Sequence, residues 1–364
     1  MRVVYIAAKV LVLGGEAASP EAVETIVRRQ SENPGQVSSS ANMIAALQQA
    51  GIVSQSETWR LWRRPSRAFG RPGGRTWRVF QLEDDGTSPD LAAHVRANGQ
   101  PDVIWMEGRS LQPELAHVYD LCPRSFKVIY PQDWRPWRAE GLDRYDLCLL
   151  DDEPQAARMR RHHPDLRCDV WDKFIDSERG HHPLGCEKEY DLCYVSFPSV
   201  RKNHDLLFRA MAKLADRDLS CVCVGGRRGD NSEALRELAE RLGVRVDFTG
   251  EASKAEVNAY VNKSRIGVIA SKRDSAPRAM LEYMAAGVPV LVNAELRAGL
   301  RYVGPKAGLV CPPAEFARGI AEMLDNLASY TPREHFLEHY SRERVVAKFA
   351  GILQRAGLSA NRVA

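Results

Sequence analysis

Short apolar runs alternate with amphipathic stretches along most of the chain. In the first half, period-two and continuous apolar runs predict strands over 3–8, 77–82, 102–106, 127–130 and 145–150, with a helical face over 41–50 that stops at Gly51. The second half is more regular. Strands over 191–195, 220–224, 245–248, 267–270 and 288–293 alternate there with helices over 205–214, 232–242, 254–262 and 278–286. Strand and helix in strict alternation build parallel sheets, so the fold class is α/β, arranged as two Rossmann-like domains. The polar stretch 177–188, rich in Gly, His and Pro, interrupts the alternation and reads as a linker. The expected division is an N-terminal domain over 1–176, a C-terminal domain over 189–339 and a closing helical segment over 340–364.

Composition sharpens this only a little. A chain of 364 residues has room for two or three domains of ~100–200 residues. With 44% hydrophobic and 27% charged residues, each has material for a core, which excludes disorder and coiled coil. The net charge of +4 is too small to argue for nucleic acid or membrane by itself, and the excess lies beyond Gly180. Eight cysteines include no Cys-x-x-Cys pair, and several sit in apolar runs such as 147–150. They read as buried free thiols of a reducing cytoplasm, not a disulfide scaffold or zinc site. Lys9 breaks the first apolar run, which reads as a strand and not a leader. No run approaches the ~18–20 apolar residues of a membrane helix, so the expected location is cytoplasmic, with membrane contact at most peripheral. The pairs His162-His163 and His181-His182 read as surface histidines, and the acidic runs at 83–85 and 151–153 as solvated turns or helix caps. No metal site is expected.

The densest chemistry lies in 271–292, SKRDSAPRAMLEYMAAGVPVLV. It reads as a strand end, a tight loop, a short helix and another strand. Asp274 or Ser275 can cap the helix, Pro277 suits its first turn, and Gly287 with Pro289 ends it. A helix that starts beyond the carboxyl end of a strand is where open α/β sheets bind ligands. Its free backbone N–H groups favour phosphate. The loop of Ser275, Ala276, Pro277 and Arg278 is therefore a candidate phosphate cradle, with Lys272 and Arg273 adding charge. Glu282, inside the helix, can accept paired hydrogen bonds from vicinal hydroxyls such as those of a ribose. Asp274, eight residues earlier, faces the other side of the phosphate position.

Two acidic residues separated by seven others, Asp274 and Glu282, ahead of Met-Ala-Ala-Gly-Val-Pro-Val, resemble the signature of family 4 of the retaining glycosyltransferases, whose fold is GT-B. The resemblance runs through most of the second half. Residues 194–207 look like the family's first strand and loop, and Lys202 matches the lysine that meets the leaving diphosphate. Ser196-Phe197 stands where the family has Gly-Arg, and Arg201 is the candidate replacement. Gly225 ends a segment similar to the next strand and glycine turn, and Gly250 one that borders the nucleotide base. Residues 340–345 resemble the start of a last helix that crosses back to the first domain. In the first half, Gly14 and Gly15 match a glycine loop under the phosphates. Gln132, beside Asp133, stands where the family often has a histidine near the reacting sugar. The resemblance implies two domains facing a cleft, a nucleotide-diphosphate sugar as co-substrate, no cofactor, no metal, and transfer to an acceptor hydroxyl with retention. Lys202, Asp274 and Glu282 would be the catalytic set. Aspartate for glutamate at 274, Pro277 for glycine and Gln132 for histidine are departures that bear on the donor sugar more than on the fold. Two other readings keep the architecture: a nucleotide-sugar epimerase, and a GT-B binding protein without catalysis.

One stretch is left over. From Thr58 to Arg78 there are seven arginines, among them Arg60, Arg63 and Arg64, with Trp59, Trp62, Phe69 and Trp77 between them and no acidic residue. This suits a polyanionic acceptor such as modified DNA, or an anionic membrane surface. It equally suits a solvated loop whose tryptophans pack back on the domain. The acceptor stays open between DNA, membrane and small molecule.

Overall fold

The computed structural model describes residues 1–7, 38–62, 67–69, 75–108, 113–226 and 231–358. Gly14, Gly15, Arg63 and Arg64 lie outside the described residues. The chain divides into two compact units, 1–174 with 346–364, and 175–345.

The first unit is built on β1 (Arg2–Ala7), α1 (Ser39–Gln49), β2 (Gln55–Trp62), β3 (Arg67–Phe69), β4 (Arg75–Gln81), α2 (Pro89–Asn98), β5 (Val103–Glu107), α3 (Pro113–Leu121), β6 (Phe126–Tyr130), β7 (Leu147–Leu150), α4 (Glu153–His162) and β8 (Arg167–Val170). The eight strands form one sheet in the order β3-β4-β2-β1-β5-β6-β7-β8. Every neighbouring pair is parallel except β3 with β4.

Strand β2 was not expected, and with it the arginine-rich stretch changes character. Polar letters conceal the strand because several of them are inside: Ser56, Glu57 and Thr58 are buried between β1 and β4. The Glu57 carboxylate accepts from Trp59 Nε1 at 2.7 Å and Arg78 Nε at 3.2 Å. Burial works against its ionisation, but these donors and the charges of Arg78 and Arg2 hold its pKa below the usual value. Trp59 and Trp77 are 2% and 4% exposed, so neither ring is free to stack on a nucleic acid base. Of the two readings of this stretch, these tryptophans follow the packed one, in strands and not in a solvated loop.

The second unit contains β9 (Tyr190–Val195), α5 (His204–Ala212), β10 (Ser220–Val224), α6 (Ser232–Leu242), β11 (Arg245–Phe248), α7 (Lys254–Asn262), β12 (Ser264–Ile269), α8 (Arg278–Ala285), β13 (Val290–Asn293), β14 (Gly308–Cys311), α9 (Phe316–Asp325) and α10 (Pro332–Tyr340). Its six strands are parallel in the order β11-β10-β9-β12-β13-β14. Strand direction of travel across the sheet reverses at β9 and β12, the position where doubly wound sheets open a ligand crevice at their carboxyl ends.

The core beneath that point is locked by Tyr283 of α8. Its hydroxyl accepts from Val195 N at 2.6 Å and donates to Cys193 O at 3.1 Å. Gly267 of β12 lies under the ring, so close that a Cβ there would fall inside it. Residues 177–188, expected as a polar linker, pack on α7. Asn262 Nδ2 donates to His182 O at 3.0 Å, and Leu184 N donates to Asn262 Oδ1 at 2.8 Å.

A last helix, α11 (Arg342–Arg355), carries the chain back into the first unit. There Phe349 stacks on Trp105 with ring centroids 4.9 Å apart, and Trp171 closes the cluster edge-on. Lys348 donates to Asp172 at 2.7 Å and Arg355 to Asp169 at 2.7 Å.

Candidate active site

Strand β9 ends at Val195 and β12 at Ile269, and the loops beyond them carry Lys202 and Asp274. Three backbone devices bring the loops together. Tyr194, at the end of β9, donates its hydroxyl to Lys202 O at 2.6 Å. Asn203 takes a left-handed conformation, φ +57°, and its Nδ2 donates to Ala270 O at 3.2 Å. Gly225 bridges to Gly250, N to O at 3.1 Å, where a Cβ on Gly225 would press on Ser196 O at 3.0 Å. In this frame Lys202 Nζ is ion-paired with Asp274 Oδ2, both side chains about four-fifths buried. Asp274 also accepts from Ser275 N at 3.0 Å.

The helix cap differs from expectation. Neither Asp274 nor Ser275 occupies the cap position of α8: that position is Pro277, whose own side chain has no polar atom to close the first turn. Asp274 is turned toward Lys202 instead, with which it forms a part-buried ion pair. Ahead of the cap, Ala276 is buried with φ +41°, an unusual conformation for a residue with a Cβ. Lys272 points to a surface pair with Glu295 at 2.8 Å and adds no free charge at the loop. Arg201, in the turn just before Lys202, has no ionic or hydrogen-bonded partner among the described residues.

Glu282 lies on α8 and is 8% exposed. Arg278, one turn earlier, donates to its Oε1 at 2.9 Å, and His181 Nε2 stands 3.7 Å from the same oxygen. Burial opposes the charge on Glu282, but His181, Arg278 and Lys254 together hold its pKa below the usual carboxylate value. The pKa of Lys254 is lowered by its own burial and by Arg278. His181 is 2% exposed, contrary to its reading as a surface histidine. Its pKa is lowered, chiefly by burial, and its Nδ1 is enclosed without a hydrogen bond. Neither His181 nor Lys254 was legible as a site residue. Both reach Glu282 from elements distant in sequence, with no spacing that marks them.

The structure also joins residues singled out in the first unit. Gln132, at φ +49° beyond β6, donates to Glu107 Oε1 at the end of β5. Glu107 is 5% exposed and accepts from Tyr5 OH at 3.4 Å. Arg60 of β2 is half-buried near Tyr5 and Glu107, whose charges oppose the lowering of its pKa by desolvation, and its Nε has no partner among the described residues. Asp133 turns back to accept from Arg135 N at 2.9 Å. Among the described residues no three histidine, cysteine or carboxylate side chains gather as a metal-binding group. No described helix is long and apolar enough to cross a membrane.

Residues 178–343, inside the second unit, match the family model for glycosyl transferases group 1. That span holds His181, Lys202, Lys254, Asp274, Arg278 and Glu282. Over 98% of its length the chain is similar in fold to sucrose-phosphate synthase from Thermosynechococcus elongatus, with a TM-score of 0.70, 14% identity and 99% of that chain covered. It is similar as well to Anabaena HepE in complex with UDP, with a TM-score of 0.67, 14% identity, and 98% and 100% of the two chains covered. The architecture is thus the GT-B fold, two Rossmann-like α/β domains.

Curated relatives are more distant in scope. A GDP-Man:Man(3)GlcNAc(2)-PP-Dol alpha-1,2-mannosyltransferase of Xenopus laevis is 26% identical over 202 residues, 50% of this chain and 40% of that protein. A 4-hydroxy-3-methylbut-2-enyl diphosphate reductase of Aeromonas hydrophila is 29% identical over 205 residues, 56% of this chain and 55% of that protein. The chain spans about half the length of these relatives or less. Their names denote two different reactions.

Proposed function

We propose that this protein is a retaining, metal-independent glycosyltransferase that moves a sugar from a nucleotide-diphosphate sugar to an acceptor hydroxyl. The observation that carries the reading is the setting of Glu282. The charges of His181, Arg278 and Lys254 hold its pKa below the usual value, Oε1 is held by Arg278, and Oε2 accepts no hydrogen bond from the described residues. A fixed carboxylate with one open oxygen, on a helix that starts beyond the carboxyl end of a strand, suits a nucleoside diphosphate: hydroxyls on Glu282, phosphates at the loop of residues 275–278.

In this mechanism Lys202, with Arg201 beside it, neutralises the charge that grows on the diphosphate as the anomeric carbon–oxygen bond breaks. Asp274 balances Lys202 when no substrate is bound and orients the sugar when it is. The acceptor oxygen forms its bond to the anomeric carbon on the face the phosphate leaves, and the acceptor proton passes to the departing phosphate oxygen. The basic side chains take the role that a cation plays elsewhere. Acceptor binding is assigned to the first unit, around Glu107, Gln132 and Arg60.

The test is transfer and donor hydrolysis across a panel of nucleotide sugars, with and without EDTA, for the wild type, Lys202→Ala and Glu282→Ala. Loss of one charge-stabilising donor should lower kcat by ~10²–10³ in Lys202→Ala. EDTA should change nothing. A strict metal requirement, or unchanged turnover in both variants, overturns the reading. Isomerised nucleotide sugar without an acceptor would identify an epimerase.

A further inference from the structure

A second concentration of positive charge lies in the first unit, outside the stretch 58–78. The turn that follows β6 and the outer face of α4 line an open cavity of about 650 Å³. Arg135 and Arg138 reach it from the turn, Arg158 and Arg161 from α4, where a spacing of three puts both on one face. No carboxylate of the described residues lines it. None of the four arginines has an ionic partner among the described residues, whereas Arg160 on the same helix is paired with Glu153. Arg135 Nε is enclosed without any hydrogen-bond acceptor. Buried donors of this kind are rarely left unsatisfied.

Two indoles explain how these cations are held. The Arg135 guanidinium lies 4.2 Å from the ring centroid of Trp134, and Arg158 lies 4.6 Å from that of Trp137. The His162 ring stacks on Trp137 at 6.2 Å with the planes 9° apart. The turn is anchored from three sides. Asp133 accepts from Arg135 N, Gln155 Nε2 donates to Asp133 O at 3.3 Å, and a His163 ring nitrogen meets Trp137 O at 3.1 Å. The indoles hold two of the flat cations at the cavity wall. A guanidinium fork matches phosphate oxygens in bidentate fashion.

We infer that this cavity is a binding site for a ligand carrying two or more phosphate groups. Its volume is that of a small-molecule site, not of a duplex groove. The shared chemistry could come from a free oligophosphate or from the phosphorylated head group of a lipid, and the experiment separates them. The site lies in the first unit and does not rest on the transferase reading.

Trp134 and Trp137 serve as built-in reporters. The full chain is titrated with sodium tripolyphosphate at 0.15 M salt while tryptophan emission is followed, and its flotation with vesicles of phosphatidylcholine alone or with a bisphosphorylated phosphoinositide is measured in parallel. Lys202→Ala removes the phosphate ligand proposed for the second unit and should leave both signals intact. Arg135→Gln/Arg158→Gln should weaken binding at least about tenfold, and Arg135→Lys/Arg158→Lys, which keeps the charge but loses the fork, should weaken it as well. Tripolyphosphate binding with this pattern identifies a free anion as sufficient. Flotation alone with this pattern identifies the lipid head group. Absence of both signals, or binding that the arginine variants leave unchanged, overturns the inference.

Discussion

His181 Nε2 stands 3.7 Å from Glu282 Oε1, joining the segment ahead of β9 to the middle of α8 inside the second unit. Burial lowers the His181 pKa, and the three basic neighbours lower that of Glu282. Both groups therefore bind fewer protons in the folded than in the unfolded chain. The stability each contributes is complete above its unfolded pKa and is lost as the pH falls through its folded one. The second unit should hold a constant urea midpoint from about pH 8 down to about 6.5, then weaken, with Glu282 adding to the loss below about pH 4.5. His181→Gln should flatten the upper part of that fall. Parallel pH curves for variant and wild type would remove His181 as its source.

Asp274 and Lys202 neutralise one another in the absence of substrate. Asp274→Asn should free the ammonium and tighten binding of a nucleoside diphosphate by a few-fold, since a partly exposed pair is worth about 1 kcal/mol or less. The same change should lower sugar transfer. Calorimetry against UDP and GDP checks the first effect and a transfer assay the second; weaker diphosphate binding in Asp274→Asn would contradict the balancing role.

Gly267 has no room for a side chain beneath the Tyr283 ring. Gly267→Ala must displace a fully buried phenol that is tied to both Cys193 and Val195. Overpacking of this kind costs about 1–3 kcal/mol, read as a lower urea midpoint. Tyr283→Phe keeps the ring and loses only its hydrogen bonds, so it should be milder by the same measurement.

Phe349 fills the aromatic cluster with Trp105 and Trp171 in the first unit. Phe349→Ala should cost about 3–5 kcal/mol of that unit's stability through the cavity it leaves. Chemical denaturation followed by tryptophan emission measures the loss, and a cost under about 1 kcal/mol would mean that α11 is not integral to that core.

Some features could be read directly from the letters. Continuous apolar runs such as Ser220–Val224 and Val290–Asn293 belong to strands buried on both faces, and such strands have an unmistakable composition. Helices α6 and α7 carry their own amphipathic period, and α7 also its capping box at Ser253 and Glu256. Strand β2 lacked that signal because Glu57 enters the interior on the strength of partners that include Arg2 of β1 and Arg78 of β4. Hydropathy cannot register a charge that is paired across strands. Cys186 is exposed while the other seven cysteines are buried, a division that follows the same logic of run against loop.

The sequence by itself determined the α/β class, the order of most elements in the second half and the loop-helix segment with Asp274, Arg278 and Glu282. Those are local properties, fixed by periodicity and by residues within two or three turns of one another. Only the tertiary structure decided that Lys202 and Asp274 neutralise each other across 72 positions. It alone placed His181 beside Glu282 and Lys254 near enough to act on its charge, Gln132 on Glu107, and four arginines of two separate elements around one cavity. Electrostatic partnership depends on distances of a few ångströms in space, and parallel sheets bring together residues that the chain holds far apart.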